Sequence, residues 1–292
     1  MEFEEIRIEN TNRCEMNCFI CPRKLMKREK GCMSYDEFVM LCNKLEPFLL
    51  SGKLNWLDLH GYGEPLLDKE LLKKVSYISR HFPNVKSRIV TTFYNIKLHP
   101  ICSLLSCGLT EIVISHYASS EEEFRIIHGV SGFETTRKNI NTFLSLNHER
   151  GNPIHVLVEN ISMAQLLPYK YEKTRRANIS LWYKEIMRLG VEIRDLSSPH
   201  NWGSAFSFKD ISSGVCSVVK GYRKRVLQIT WDGKIIPCCF DYNADVVFGN
   251  IFEEDLEGVF SSTLYKDFIY HHISDNVKKY PPCRRCSRCH IP

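Results

Sequence analysis

The sequence lacks any long hydrophobic run, since no stretch approaches the roughly 20 apolar residues of a membrane-spanning helix. It also lacks the basic and then apolar start of a signal peptide, because it opens with the acidic, strand-like residues MEFEEIRIEN. We therefore expect a cytoplasmic protein with no membrane partner. Neither sign of charge dominates, because 39 Lys and Arg stand against 34 Asp and Glu. Such a balance gives no reason to expect a nucleic-acid partner.

Several common motifs are also absent from the sequence. We find no internal repeat and no low-complexity segment, which argues against repeat proteins and disordered chains. There is no P-loop, no Gly-x-Ser-x-Gly and no zinc-protease motif, so the corresponding nucleotide and hydrolase chemistries are not indicated. The 292 residues suffice for one large domain, or for a main domain with a small appendage.

Short β-rich runs alternate with amphipathic segments over the first 200 residues. This alternation predicts βαβ units and a parallel sheet, and Ser34-Tyr-Asp-Glu37 predicts a capping box at the first helix. Six such steps predict an α/β fold, a partial (β/α)6 TIM-like barrel with ligands at the C-terminal ends of its strands. The predicted strands are 4–8, 54–59, 87–91, 111–115, 154–158 and 191–194, and the predicted helices are 35–48, 68–80, 98–106, 120–148 and 174–189.

The pattern changes near residue 205. Asp232-Gly233 supplies a turn between two β-rich runs and predicts a hairpin, and short helical segments follow it. We therefore divide the chain into a barrel over 1–205 and a small C-terminal domain over 206–292.

Thirteen cysteines are the unusual feature of the composition. A disulfide framework is not expected in a large cytoplasmic chain. Cys42, Cys102 and Cys107 lie among apolar residues and are interpreted as core residues. Nine others form two groups, which indicates metal or iron–sulfur ligation. The groups are Cys14, Cys18 and Cys21 near the start, and Cys216, Cys238, Cys239, Cys283, Cys286 and Cys289 near the end.

The first group has the spacing C-x3-C-x2-C on a loop after the first strand. Three thiolates can hold three irons of a cubane and leave the fourth iron open, as a catalytic cluster needs. Three of four zinc ligands, or a ferredoxin-like cluster, are the alternatives that spacing alone leaves.

This motif resembles the signature of the radical S-adenosylmethionine (SAM) superfamily, and the second strand ends in a similar family segment, His60-Gly-Tyr-Gly63-Glu64-Pro-Leu-Leu67. The resemblance implies a [4Fe–4S] cluster on Cys14, Cys18 and Cys21 and reductive cleavage of bound SAM. The resulting 5′-deoxyadenosyl radical abstracts hydrogen from a substrate. It also implies SAM contacts from residues at the ends of strands two to five, namely Gly63, Glu64, Asn95, Ser115 and Glu159.

The C-terminal cysteines resemble those of the twitch domain, the one-cluster form of the SPASM extension of radical SAM enzymes. The phrase Asp232-Gly-Lys-Ile-Ile-Pro-Cys-Cys239 carries this resemblance. It implies an auxiliary [4Fe–4S] cluster. Its ligands would be Cys216, Cys238, Cys283 and Cys286, with Cys289 for Cys286 and Cys239 for Cys238 as open alternatives. Four convergent thiolates also suit zinc.

Cys239 adjoins a predicted cluster ligand, and a thiol there can donate a hydrogen atom to a substrate radical. The resemblance is closest to short enzymes that act on sugars and aminocyclitols, so we expect epimerisation of a carbinol carbon. A two-electron alcohol dehydrogenase, a peptide-modifying radical SAM enzyme and a non-enzymatic iron–sulfur or zinc protein are the alternatives. Cys14 stands too early for a preceding peptide-recognition domain, which favours a small-molecule substrate. An external electron donor of the flavodoxin or ferredoxin class is also expected.

Two adjacent histidines precede the last cysteines in the sequence. His271-His272 falls in an amphipathic segment and is interpreted as a surface pair.

Overall fold

The structure of the protein, a computed structural model, is centred on one sheet. It describes residues 2–161, 179–196, 200–203, 205–206, 215–221, 225–274, 276–286 and the backbone of 289–290. The strands are β1 (Glu5–Ile8), β2 (Trp56–Asp58), β3 (Ser87–Thr91), β4 (Glu111–Ser115), β5 (His155–Ile161), β6 (Glu192–Leu196), β7 (Val215–Cys216), β8 (Val226–Ile229), β9 (Lys234–Ile236), β10 (Gly249–Asn250) and β11 (Cys289–His290).

Nine of these strands form the sheet, in the order β10-β9-β8-β1-β2-β3-β4-β5-β6. Strands β1 to β6 are mutually parallel, as βαβ connections require. The six strands agree with the predicted ones, with shifts of a few residues at their ends. This confirms the α/β fold of a partial barrel.

Helices follow the strands on the chain. They are α1 (Tyr35–Leu49), α2 (Leu71–His81), α3 (Ile101–Leu104), α4 (Glu121–His128), α5 (Phe133–Glu149), α6 (Leu256–Ser261) and α7 (Thr263–Ile273). Residues 179–187 are also helical, while 174–178 of the predicted 174–189 helix lie outside the described residues. The capping box is present, because Ser34 Oγ accepts from the Glu37 amide and the Glu37 carboxylate accepts from the Ser34 amide.

The single helix predicted over 120–148 is wrong, because two helices occupy this range. Gly129 ends α4 in the left-handed conformation at φ +71°, and Gly132 precedes α5 at φ +129°. Side chains other than glycine avoid these backbone angles, so two glycines interrupt an otherwise continuous helical pattern. The break places the C-terminal end of α4 beside the cysteine loop.

The two faces of the sheet differ in chemistry. Ile6, Ile8, Ile89 and Ile112 belong to the main hydrophobic core, which also contains residues of α1, α2 and α5. The opposite face carries polar residues that are paired in one register row across six strands. This row consists of Gln228, Arg7, Asp58, Arg88, Glu111 and His155.

The row is held by ion pairs. Arg88 binds Asp58 at 2.6 Å and Glu111 at 3.4 Å, and Arg7 lies 3.4 Å from Asp58. These partly buried pairs satisfy one another on the face that the partial barrel encloses. The inner surface of the barrel is therefore polar at this row.

The predicted hairpin is present and extends the same sheet. Strands β8 and β9 are antiparallel, and Gly233 in the turn between them has φ +82°. Strand β8 also pairs in parallel with β1, from Glu5–Val226 to Ile8–Ile229. The predicted boundary near 205 therefore does not interrupt the sheet, which runs through both proposed domains. Within the described residues, no helix is both long and apolar enough to span a bilayer.

Candidate functional site

The three N-terminal cysteines face one another in the loop after β1. Burial, and then the neighbouring Cys21 and Cys14, raise the pKa of Cys18, and burial raises the pKa of Cys14 to about 12. Cys21 also donates its amide to the Cys18 carbonyl at 3.1 Å. The three thiols are half-buried and close together, so a nearby cation such as iron would be needed to keep all three deprotonated.

The end of α4 supports this cysteine loop directly. The amides of Asn17 and Phe19 donate to the carbonyls of His128 and Ile127 at 2.9 and 3.1 Å. Nδ1 of His128 lies 3.4 Å from Cys18 Sγ. A Cβ on Gly129 would lie 2.5 Å from the Asn17 carbonyl oxygen, so only glycine permits this approach. The loop is therefore positioned by the helix terminus that the two glycines create.

Gly63 and Glu64, predicted to contact SAM, lie against the same loop. A Cβ on Gly63 would lie 2.3 Å from the Thr11 carbonyl oxygen, and Glu64 donates its amide to the Arg13 carbonyl at 2.8 Å. The buried Glu64 carboxylate accepts from the hydroxyls of Thr91 and Thr92 at 2.5 and 2.9 Å. Glu64 thus joins the ends of β2 and β3, and its carboxylate is engaged by the chain itself.

The other three predicted SAM contacts lie at strand ends, as expected. Ser115 ends β4 and pairs in register with Glu159 of β5, so these two side chains lie side by side. Glu159 also forms an ion pair with Arg194. Asn95 follows β3, and its side-chain oxygen accepts from the Lys97 amide at 3.2 Å. Their contacts to SAM stay predictions.

The C-terminal cysteines surround a cavity. Burial raises the pKa of Cys283, and nearby Cys238, Cys286 and Cys216 raise it further. All four of these cysteines line the cavity, together with Phe240, Phe268 and His272. The predicted auxiliary ligands are therefore brought together. Cys289 pairs with Cys216 between β11 and β7, and its side chain lies outside the described residues.

The interpretation of His271-His272 as a surface pair is wrong for His272, which is 1% exposed. Its Nδ1 donates to the Phe268 carbonyl at 2.7 Å, one turn back along α7, and its Nε2 lies 3.2 Å from Cys283 Sγ. Burial lowers the pKa of His272 to about 4. The helix buries one histidine of the pair because α7 packs one face against the cysteine cavity.

The donor sets of the two cysteine groups suit iron–sulfur clusters. Three thiols can hold three irons of a cubane, and four thiols can hold all four. Within the described part of the chain, no group of three His, Cys, Asp or Glu side chains is placed to hold a single metal ion.

Cys239 is not among the residues that line this cavity, and its sulfur contacts the inner face of the sheet. Its sulfur accepts from Arg7 Nη1 at 3.2 Å, and its carbonyl accepts from the Tyr62 hydroxyl. Arg7 belongs to the charged row, and Tyr62 follows β2 in the Gly63 segment. The adjacent residues Cys238 and Cys239 thus contact two different regions, the cysteine cavity and the inner face of the sheet.

Sequence reasoning missed three residues of this site. Arg7 is a charged residue in a strand with buried neighbours, and this alternation was the available signal. Tyr117 is buried and stacks on His128 at 5.7 Å between ring centroids, and Glu159 and Cys18 both raise its pKa after burial. His128 ends a helix with no motif around it, so its contact with Cys18 depends on tertiary packing alone.

The core assignment of Cys102 is also wrong. Cys42 and Cys107 are buried, whereas Cys102 is exposed and its sulfur accepts from Arg150 Nη2 at 3.2 Å. The helix α3 is a single turn that buries Leu104 and turns Cys102 outward. No disulfide forms among the described cysteines.

Comparison with known proteins now adds to this geometry. The model of the SPASM iron–sulfur cluster-binding domain matches residues 216–290. A curated S-adenosyl-L-methionine-dependent 2-deoxy-scyllo-inosamine dehydrogenase from Niallia circulans is 20% identical over 99% of this chain and 94% of its own length. The C-terminal region is therefore a SPASM-type iron–sulfur domain, and the whole chain is similar to an S-adenosyl-L-methionine-dependent enzyme. Both matches agree with the [4Fe–4S] clusters and SAM that the sequence led us to expect.

Solved structures show the same fold as this chain. BtrN in complex with AdoMet and 2-DOIA superposes with a TM-score of 0.65 at 18% identity, covering 100% of this chain and 96% of BtrN. Streptococcus suis SuiB bound to the precursor peptide SuiA superposes with a TM-score of 0.63 at 14% identity, covering 92% and 67%. The fold thus occurs with both a small-molecule and a peptide ligand.

Proposed function

We propose that this chain is a radical SAM enzyme that epimerises a carbinol carbon of a sugar or aminocyclitol, with Cys239 as the hydrogen donor. Cys14, Cys18 and Cys21 hold the SAM-binding cluster in this proposal, and Cys216, Cys238, Cys283 and Cys286 hold the auxiliary cluster. The observation that carries it is the direction of Cys239, whose sulfur contacts Arg7 on the inner face of the barrel at 3.2 Å.

When bound, the cluster and SAM supply a 5′-deoxyadenosyl radical that removes one hydrogen atom from the substrate carbon. Cys239 then gives its S–H hydrogen atom to the opposite face of that carbon, which completes the inversion. The sulfur regains one electron from an external donor of the flavodoxin or ferredoxin class, and one proton from solvent. The substrate is therefore neither oxidised nor reduced overall.

Arg7 and Tyr62 position the donor. The guanidinium N–H of Arg7 uses the sulfur as an acceptor, so the S–H hydrogen stays free to point elsewhere. The Tyr62 hydroxyl holds the Cys239 carbonyl, which fixes the backbone next to the proposed ligand Cys238. A preorganised donor is what a short-lived carbon radical needs.

The sugar or aminocyclitol class is supported by two observations. The inner face of the sheet carries a row of charged and polar side chains, and the Niallia circulans relative is named for an aminocyclitol. The SuiB structure with a peptide makes a peptide substrate the competing outcome of a substrate screen.

Dehydrogenation is the second candidate, because the Niallia circulans relative is named a dehydrogenase. In that reaction the same carbon loses a hydrogen atom, then an electron to a one-electron acceptor and the hydroxyl proton to a base. The product is a ketone that is two hydrogens lighter than the substrate. Cys239 has no chemical part in this outcome.

The test is turnover in deuterated water by wild type and by Cys239→Ala. If Cys239 is the donor, the wild-type product gains one deuterium at the inverted carbon, because thiol hydrogens exchange with solvent. The variant keeps its iron and still forms 5′-deoxyadenosine, yet loses the inverted product by at least 100-fold, an estimate at the lower end for an essential catalytic group. Cys102→Ala, which removes an exposed thiol, serves as the matched control. A ketone product would overturn the epimerase, and normal inversion by Cys239→Ala would overturn Cys239 as the donor.

A further inference from the structure

We infer that His128 is a positioning residue of the SAM-binding cluster, which donates an N–H···S hydrogen bond to Cys18 and raises the cluster's reduction potential. The inference rests on the proposed ligand role of Cys18 and is independent of the substrate. Cys18 Sγ lies 3.4 Å from His128 Nδ1, within the range of a hydrogen bond to sulfur.

The surroundings of His128 hold its ring in this place. Its side chain is almost fully buried, and the ring packs against Tyr117 and Phe124 at centroid distances of 5.7 and 4.5 Å. Its backbone carbonyl accepts from the amide of Asn17, the residue just before Cys18. Ring and cysteine are therefore fixed to each other through both side chain and backbone.

The tautomer of His128 follows from its partners. Nε2 is buried and has no hydrogen-bond partner among the described residues, while Nδ1 faces the sulfur. A neutral ring with its hydrogen on Nδ1 points that hydrogen at the thiolate. The other tautomer is disfavoured for two reasons. It would turn a nitrogen lone pair toward a thiolate, and it would bury an N–H that has no acceptor.

A donor at this point has a definite electronic effect. Reduction adds negative charge to the cluster and its thiolates, and the positive end of an N–H dipole stabilises that charge. Hydrogen bonds to the sulfurs are among the factors that set the potential of an iron–sulfur cluster. His128 thus makes the cluster easier to reduce by the external donor.

The second histidine at a cysteine provides a contrast. His272 lies 3.2 Å from Cys283, but its Nδ1–H is already given to the Phe268 carbonyl, so its neutral ring presents a lone pair. His128 has no such competing acceptor in the described residues. Of these two histidines, only His128 can donate a hydrogen bond to its cysteine while its ring is neutral.

The test is a potentiometric titration of the holoenzyme without substrate, followed by electron paramagnetic resonance. The SAM-binding cluster is identified as the signal that changes when SAM is added. The variants are His128→Leu, which removes the donor, and His128→Asn, whose side-chain amide places an N–H near the position of Nδ1. His116→Gln changes a neighbouring buried histidine that contacts no cysteine within the described part of the chain, and it is the matched control.

At a fixed solution potential, we expect the reduced-to-oxidised ratio of this cluster to fall at least threefold in His128→Leu. A tenfold fall would correspond to about 59 mV for one electron. His128→Asn and His116→Gln should titrate like wild type. If His128→Leu titrates like wild type, or His128→Asn falls with it, the hydrogen bond is excluded.

A measurement on the wild-type protein covers the case in which His128→Leu fails to load iron. With 15N-labelled histidine, the SAM-responsive signal should show hyperfine coupling to a histidine nitrogen, and its absence would overturn the inference. Loss of any SAM-responsive signal in wild type would instead contradict the ligand assignment. The two failures are therefore distinguishable.

Discussion

At the scale of single residues, three buried histidines have pKa values below the usual range. Burial lowers the pKa of His60 and of His128 to about 3. Burial lowers the pKa of His116 as well, and the charges of Arg137 and His128 lower it further. These rings are therefore neutral in the folded protein at pH values where an unfolded chain would protonate them.

His116 gives this electrostatic feature a direct test. Its Nε2 accepts from Arg137 Nε at 3.3 Å, and Arg137 lies over the Trp182 ring at 3.9 Å, so a positive charge on His116 would be repelled. Because the folded-state pKa is lowered, the contribution of His116 to stability is present above about pH 6.5 and is lost as the pH falls. The slope is about 1.4 kcal/mol per pH unit for one such group.

We expect His116→Gln to flatten the pH dependence of stability, because the glutamine oxygen still accepts from Arg137 but does not titrate. The measurement is anaerobic denaturant unfolding of both holoproteins at pH 7, 6 and 5. The difference between their free energies of unfolding should change by roughly 1.4 kcal/mol per pH unit below pH 6.5. Parallel profiles for the two proteins would show that His116 does not carry this effect.

At the scale of elements, the strands were predictable and the side-chain contacts between them were not. The runs 87–91 and 111–115 were predicted with the bounds of β3 and β4, because parallel strands buried on one face are short and β-branched. The break between α4 and α5 was missed, since glycines within a helical pattern are often tolerated. Periodicity could not reveal it, because Gly129 packs against the cysteine loop at Asn17 and Gly132 packs against Tyr94, and both contacts depend on the tertiary fold.

The candidate site also contains residues that the sequence could predict and residues that it could not. The cysteine groups were found from spacing, because ligands on one loop or knuckle are close in sequence. Arg7, Tyr117 and His128 were missed, because each reaches the site only through the pairing of distant elements. Glu64 was found from its motif, while its four hydrogen bonds to the β3 end and to Leu66 became visible only in the fold.

The contact between the β2 segment and the cysteine loop can be tested through Gly63. In Gly63→Ala the new Cβ would lie 2.3 Å from the Thr11 carbonyl oxygen and 2.7 Å from that of Arg13, so backbone must move. We expect a loss of about 1–3 kcal/mol in stability, together with weaker iron loading at the N-terminal cysteines. Thermal unfolding and iron analysis measure both effects.

Gly258→Ala is the matched control for this change. Gly258 lies in α6, and its nearest neighbour to an added Cβ is Asp255 Oδ1 at 3.2 Å, so the strain is small and helix propensity improves. Its iron content should equal that of wild type. Equal melting temperatures for the two variants would contradict the packing argument.

At the scale of the whole molecule, the C-terminal region completes the sheet that begins at the N-terminus. Leu227 and Ile229 of β8 are buried beside β1, and Glu9 donates its amide to the Ile229 carbonyl at 2.8 Å. Arg28 donates two hydrogen bonds of 2.9 Å to the Glu9 carboxylate and another to the Tyr242 carbonyl. The predicted boundary at 205 therefore does not separate two independent hydrophobic cores.

This continuity predicts that a fragment of residues 1–205 does not fold alone. Removing β8 exposes the backbone edge of β1 and the apolar residues beside it, and an unprotected edge next to a hydrophobic face favours aggregation. A fragment of residues 1–236 keeps the β8–β9 hairpin and should recover part of the cooperative unfolding seen for the full chain. Circular dichroism and size-exclusion chromatography of the three proteins measure folding and association. A monomeric 1–205 fragment that unfolds cooperatively would show that the barrel is complete without β8, and the sheet pairing would then matter for the position of the auxiliary cluster alone.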